Sequence, residues 1–317
     1  MKDSSSKVIG IEIGGTKLQA VLGRPSGEIL AHRRAAVDVE AGAAGILAWC
    51  YEQVQALMRT DDCAAIGIGF GGPIESKTGQ VLVSHQIAGW ENVPIRLLFE
   101  ERFALPVVVA NDANAAGWAE YCLGAGQGLH QFMYMNIGSG IGGALIIDGH
   151  LYDGQGLGAC ELGHTWIPDW TSPLPGAVDK LEHLCSGWSI ERRIRGWKSL
   201  DLESPLAKLC DQDETRLSCA LLAEAARLGD DRALQEIDRI AQGLGITLGN
   251  AVTLFHPQRI ALGGGVSLMG DVLLNPLREA LAQYSFRPFK RSTALVPCAL
   301  EEDVVAIGAL LLAGTLV

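Results

Sequence analysis

Aromatic residues make up only 6% of this 317-residue chain, and charged ones 19%. No run of Lys or Arg stands out, and 25 basic against 36 acidic residues leave a net charge of −11. Such a chain is a poor general binder of nucleic acid or anionic membrane. A small anionic ligand stays open, because local backbone N–H groups can hold one. No CxxC pair occurs among the eight cysteines: Cys50, Cys63, Cys122, Cys160, Cys185, Cys210, Cys219 and Cys298. Scattered through apolar segments, they read as reduced thiols of a cytoplasmic protein. The opening MKDSSSK is polar with no apolar stretch behind it, so no signal peptide is expected. The longest apolar run, Val304 to Val317, has 14 residues and two glycines; it is too short for a membrane span and predicts a buried core helix. Hydrophobic residues at 48% exclude a disordered chain.

Glycine is plentiful, at 39 residues. Lys7 to Ile13 is a β-branched run ending in Gly14-Gly15; a second strand follows over Leu18 to Leu22 and a third over Glu28 to Arg33. This meander differs from the strand–loop–helix of a dinucleotide fold. Helical spacing marks Ala41 to Met58, Pro94 to Arg102, Asn111 to Leu123, Glu182 to Trp197, Arg216 to Leu228, Ala233 to Leu254, Asp271 to Tyr284 and Asp303 to Leu316. Strands are predicted at Ala64 to Phe70, Pro106 to Ala110, Gln131 to Asn136, Gly143 to Ile147, Arg259 to Leu262 and Ala294 to Val296. A glycine-rich turn inside a hairpin thus occurs twice, which points to two similar α/β lobes.

Five segments carry chemistry. In GIEIGGTK, Gly10 to Lys17, a strand ends in two glycines and a hydroxyl, leaving N–H groups to face phosphate oxygens. Glu12 there can hold a hydrated Mg²⁺. The spacing is not that of a P-loop. In NIGSGIGGALIIDG, Asn136 to Gly149, four glycines, Gly138, Gly140, Gly142 and Gly143, crowd a turn between strands, a pattern that fits either close approach by a ligand or a bulged hairpin. In VVVANDANAA, Asn111 and Asp112 stand where a strand meets a helix: Asn suits an N-cap, and Asp112 a general base. In ELGHTWI and LEHLCSG, Glu161, His164 and Glu182 suit either a metal or sugar hydroxyls. In HPQRIALGGGVS, a strand ends in Gly263-Gly264-Gly265, a turn able to lie against a purine or phosphate.

Together and in this order, these segments resemble the ROK family of sugar kinases, repressors and related proteins, from about Val8 to the C-terminus. The resemblance implies an actin-like ATPase (ribonuclease H-like) α/β fold, two α/β lobes around a central cleft. The lobes would be residues 1–112 plus 303–317, and 113–302. It implies an ATP-dependent hexose kinase, glucokinase-like, acting most simply on glucose at the 6-position. Asp112 would be the base; Gly71, Asn111, Glu161, His164 and Glu182 would hold the sugar. Gly14, Gly15, Thr16, Lys17, Gly138, Ser139, Gly140 and Gly264 would face ATP. Mg²⁺ would stand near Glu12, and a homodimer is common in the family.

The chain departs from the family pattern in three places. Glu12 stands where Asp is usual, and Gln86 where Asn is usual. Pro173, Pro175 and Lys180 stand where many members have the three cysteines of a structural zinc site. Thiolates are the main ligands of such a site, so no zinc is expected. His164 is then left for the sugar, oriented by packing and a hydrogen-bond acceptor instead of a metal. Two other readings compete: a catalytically silent sugar-binding protein of the same family, and a sugar-responsive repressor. The repressor would need a helix-turn-helix, and only MKDSSS precedes the first strand.

Overall fold

The computed structural model describes residues 6–59, 62–84, 87–197 and 201–317; Gln86 lies outside them. The chain forms two compact units. One comprises the residues up to His130, Ala144–Cys160 and Ala299–Val317; the other comprises Gln131–Gly143 and Glu161–Cys298.

In the first unit the meander is β1 (Lys7–Ile13), β2 (Lys17–Gly23) and β3 (Ile29–Ala36). Then come α1 (Gly42–Met58), β4 (Cys63–Phe70), the small hairpin β5 (Ile74–Glu75) and β6 (Gln80–Val81), α2 (Ile95–Phe103), β7 (Val107–Asn111) and α3 (Asp112–Leu123). The sheet order is β3-β2-β1-β4-β7. The first three strands run antiparallel, while β4 and β7 join parallel to β1. A parallel centre needs both faces covered, and β1 is buried from Val8 to Ile13. One face packs Ile9, Ile11, Ile13, Ile66 and Ile68 against Ile46, Cys50, Val54 and Leu57 of α1. Each such side chain stabilises the fold by roughly 1.5–3 kcal/mol.

The other face takes α10 (Val304–Ala313), from the apolar C-terminal run. Its Ala306, Leu310 and Ala313 meet Val8, Val21 and Ala65. The approach is as close as backbone allows. A Cβ on Gly67 would stand 1.9 Å from the Ala309 carbonyl oxygen, and one on Gly308 1.9 Å from that of Ala115 in α3. This packing keeps α3 with the first unit, beyond residue 112. Among the described residues no helix is long and apolar enough to cross a membrane.

The remaining elements are β8 (Gln131–Ile137), β9 (Ile141–Ile147), β10 (His150–Leu151), β11 (Trp166–Pro168), β12 (Val178–Lys180), α4 (Leu181–Cys185), α5 (Gly187–Arg195), α6 (Pro205–Leu209), α7 (Cys219–Arg227), α8 (Asp231–Phe255), β13 (Arg259–Gly263), α9 (Asp271–Tyr284) and β14 (Ala294–Pro297). The second sheet has the order β10-β9-β8-β13-β14, with β13 parallel to both β8 and β14. The 25-residue α8 carries the apolar face that the sequence showed at helical spacing.

Two expected helices end differently. Glu182 to Trp197 is broken at Ser186, which is extended and caps α5 by accepting from Ser189 N. The break frees Gly187 N to donate to Gly138 O at 2.8 Å. The helix expected from Arg216 begins at Cys219, because Ser218 accepts from Leu221 N and caps it there. The short pairs β5–β6 and β11–β12, strand β10 and helix α6 are too brief to show a period in the sequence.

Candidate active site

In the first unit, β1 and β2 close through a turn in which Gly14 N donates to Lys17 O at 3.0 Å. Gly15 and Thr16 form its tip, and Thr16 O accepts from Val37 N at 3.0 Å. Glu12, on the last turnward residues of β1, is only 7% exposed. Lys17 Nζ lies 3.3 Å from Glu12 Oε2 and donates to Glu302 O at 2.8 Å. The fully buried Gln19 also donates from Nε2 to Glu12 Oε2. Gln19 Oε1 is itself held by Arg34 Nε at 3.1 Å and by the His32 ring. Burial raises the Glu12 pKa, and the Lys17 charge and the hydrogen bonds from Gln19 and Lys17 oppose that rise. The carboxylate is therefore fixed on one oxygen, Oε2, by two donors.

At the end of β7, Asn111 caps α3. Its Oδ1 accepts from Ala113 N at 2.9 Å and Asn114 N at 3.2 Å, and its Nδ2 donates to Gly72 O at 3.1 Å. Asp112 follows in the first turn, its Oδ1 accepting from Ala113 N at 2.7 Å. Gly71 N donates to Ile13 O at 2.8 Å. A Cβ on Gly71 would lie 3.3 Å from Asp112 Oδ2. Strand ends β1, β4 and β7 thus bring Gly14, Gly71, Asn111 and Asp112 together.

In the second unit the hub is the backbone of Ile141. Its N–H donates to Glu182 Oε2 at 2.7 Å. Its carbonyl oxygen lies 2.3 Å from where a Cβ on Gly163 would stand, so the ELGH turn sits directly on β9. The β8–β9 turn holds Gly138, Ser139 and Gly140, with Gly138 N donating to Gly140 O at 2.9 Å. A Cβ on Gly140 would lie 2.6 Å from Glu182 Oε2. Gly264, after β13, has φ +83° and lies against Asn136 and Ile137, where a Cβ would come within 2.5 Å. The adjoining Gly265 faces open space.

Glu161 precedes a short 3₁₀ turn, Leu162–His164. Though its side chain reaches solvent, desolvation by neighbouring atoms raises its pKa; the nearby Glu182 charge adds to the rise and His164 opposes it. His164 Nδ1 lies 3.1 Å from Lys180 Nζ. The expected acceptor for His164 is thus a donor instead. Pro173 and Pro175 offer no ligand atom, Cys185 is buried with Sγ toward Ile240 O at 3.8 Å, and His183 pairs with Asp179 at 2.9 Å. Among the described residues no group of three His, Cys, Asp or Glu could hold a metal ion. The residues present at Pro173, Pro175 and Lys180 do not fit a closed thiolate zinc site.

Three contributors are invisible in the motifs. Gln19 faces Glu12 across the β1–β2 pair, seven residues away, the Ile141 backbone acts on Glu182, 41 residues away, and Lys180 signals itself only as the residue replacing a cysteine.

The ROK family pattern matches residues 8–315, and the chain belongs to that family. It is 32% identical over 306 residues to a glucokinase from Thermotoga maritima, covering 96% of each chain. A xylose repressor from Caldicellulosiruptor bescii is 28% identical, over 90% of this chain and 72% of that one. Among solved structures, a ROK family glucokinase from Streptomyces griseus in complex with glucose and AMPPNP has a TM-score of 0.82 and 31% identity, covering 98% of this chain and 100% of that one. The fold is that of the actin-like ATPases. Within the family the chain sides with the glucokinase-like carbohydrate kinases.

Proposed function

We propose that the protein transfers the γ-phosphoryl group of ATP to a hydroxyl of a hexose, glucose at its 6-position being the first candidate. The observation that carries this is the placing of Asp112 at the first turn of α3, its Oδ1 accepting from Ala113 N at 2.7 Å and its Oδ2 lying 3.3 Å from where a Cβ on Gly71 would stand. Oδ2 takes the proton of the sugar hydroxyl as that oxygen attacks phosphorus. The new O–P bond forms, the bond from phosphorus to the bridging oxygen breaks, and ADP leaves with its electron pair.

In the first unit, Asn111 is committed to its cap through Oδ1, so its remaining Nδ2–H is what it can give a sugar oxygen. Gly71 contributes its backbone. In the second unit, Glu161 and Glu182 accept from sugar hydroxyls and His164 donates. Gly14, Gly15, Thr16 and Lys17, and likewise Gly138, Ser139, Gly140 and Gly264, line the nucleotide phosphates with backbone groups instead of bulk.

Mg²⁺ fits the donor set. It takes one or two carboxylates and keeps waters and substrate phosphates as its other ligands, so it needs no cluster of three protein groups. Glu12, with Oε2 engaged by Lys17 and Gln19, would meet a metal-bound water through Oε1. The ion when bound neutralises charge on the transferring phosphoryl group.

The test is ADP release with Mg²⁺-ATP across a panel of hexoses and N-acetylhexosamines. One sugar turned over with a kcat/KM far above the rest supports the reading. No release with any of them, in protein that still binds a hexose, favours the silent sugar-binding alternative.

A further inference from the structure

We propose that Lys180, which stands where the resemblance would place a cysteine, is a positioning residue that fixes the tautomer of His164. The inference rests on the reading that His164 faces the sugar.

The β11–β12 hairpin brings the two residues together without a metal. Trp166 pairs with Lys180 in an antiparallel register, and Leu181 N donates to Thr165 O at 2.8 Å. Thr165 Oγ1 is tied down in turn, to Leu162 O at 2.7 Å and to Thr247 Oγ1 of α8 at 3.0 Å. Main-chain bonds on both sides of Lys180 therefore set where its side chain starts. Its ammonium then lies 3.1 Å from His164 Nδ1.

An ammonium group has three N–H donors and no lone pair. Nδ1 of His164 must accept, so the ring proton of the neutral imidazole is on Nε2. The nitrogen left for substrate is a donor. That complements Glu161 and Glu182, which can only accept when ionised. A hexose presents hydroxyls that both donate and accept, so two carboxylates and one N–H read its orientation better than three acceptors. Pro173 and Pro175 complete the exchange, supplying a stiff turn where thiolates would need a cation to hold them together.

Nitrogen-15 NMR of imidazole-labelled full-length protein tests this, with the His164 signal assigned by its loss in His164→Gln. The expected spectrum has a pyridine-type Nδ1 and a pyrrole-type Nε2. Lys180→Met should mix the tautomers, and Lys180→Arg, which keeps a donor, should preserve the pattern. A wild-type Nδ1–H tautomer, or no change in Lys180→Met, overturns the inference. Kinetics supply the second readout. Lys180→Met should raise the KM for sugar about twofold or more, as the competent tautomer falls to about half of the molecules, with the KM for ATP unchanged. An unchanged sugar KM overturns the substrate-side role even if the NMR holds. A wild-type protein that phosphorylates no sugar would defeat the kinase reading instead, and the tautomer result would still stand or fall by itself.

Discussion

The carboxylate of Glu182 is held at 2.7 Å by the backbone N–H of Ile141, and that bond places it where a Cβ on Gly140 would strike it at 2.6 Å. The glycine of the β8–β9 turn and the acid at the start of α4 are thus one feature. Replacing Gly140 by Ala or Val should push Glu182 off its donor. We expect the KM for sugar to rise roughly tenfold or more, the scale of losing a hydrogen bond to a charged group. The KM for ATP should rise as well, because the same turn is assigned to the phosphates. Steady-state kinetics with each substrate varied in turn checks this; unchanged values for both would disconnect the turn from the site.

Asp112→Asn should keep the fold, because an Asn oxygen still accepts from Ala113 N. Without a base, kcat should fall by roughly 10²–10⁴-fold while sugar binding persists. Turnover within threefold of wild type would remove Asp112 from the chemistry.

Gln19→Ala should leave the buried Glu12 short of a donor. Such a loss costs about 1–3 kcal/mol in stability. The half-saturating Mg²⁺ concentration should rise as well, since the carboxylate is no longer fixed. Urea titration and a Mg²⁺ titration after chelation give the two readouts. Activity that survives chelation without added metal would show that the metal assignment is wrong.

Glu161 has a pKa raised mainly by desolvation from neighbouring atoms, with the Glu182 charge adding to it. For a carboxyl whose folded pKa lies above its unfolded value, the folded state binds the extra proton. Its stability contribution is full below the unfolded pKa and is lost as pH rises through the folded one. Glu161→Gln should therefore flatten the fall in melting temperature over the pH range just above the ordinary carboxylate value. Sugar affinity should run the other way in wild type, weakening as acid protonates the acceptor. Thermal melts of both proteins across mildly acidic pH would show it; parallel curves would rule it out.

Gly67→Ala tests the seat of α10. The new methyl would meet the Ala309 carbonyl at 1.9 Å, so the helix must lift from the sheet. Overpacking of this kind costs about 1–3 kcal/mol or more. A urea midpoint equal to wild type would mean that the helix shifts freely.

Much of the fold was legible in the sequence because it rests on local pattern. A β-branched run marked β1, further short apolar runs marked β2 and β4, and 3.6-residue spacing marked α1, α8 and α9. The helix break at Ser186 was not, since its advantage comes from a carbonyl on Gly138, 49 positions away in the numbering (187 − 138 = 49). The short pairs β5–β6 and β11–β12 have too few residues to carry a period. The residues with chemistry of their own, Asp112, Glu161, His164 and Glu182, stood out as motifs. The hydrogen-bond partners that hold Glu12 and Glu182, Gln19 and the backbone of Ile141, did not.

The sequence alone therefore carried the motifs on which the family resemblance rests and the succession of the longer strands and helices. Residue type and spacing suffice for these. Only the tertiary structure decided which atom of these groups is already engaged: Oε2 of Glu12, Oε2 of Glu182 and Nδ1 of His164. A hydrogen bond is a matter of distance and angle between atoms brought together by folding, and no local pattern encodes it.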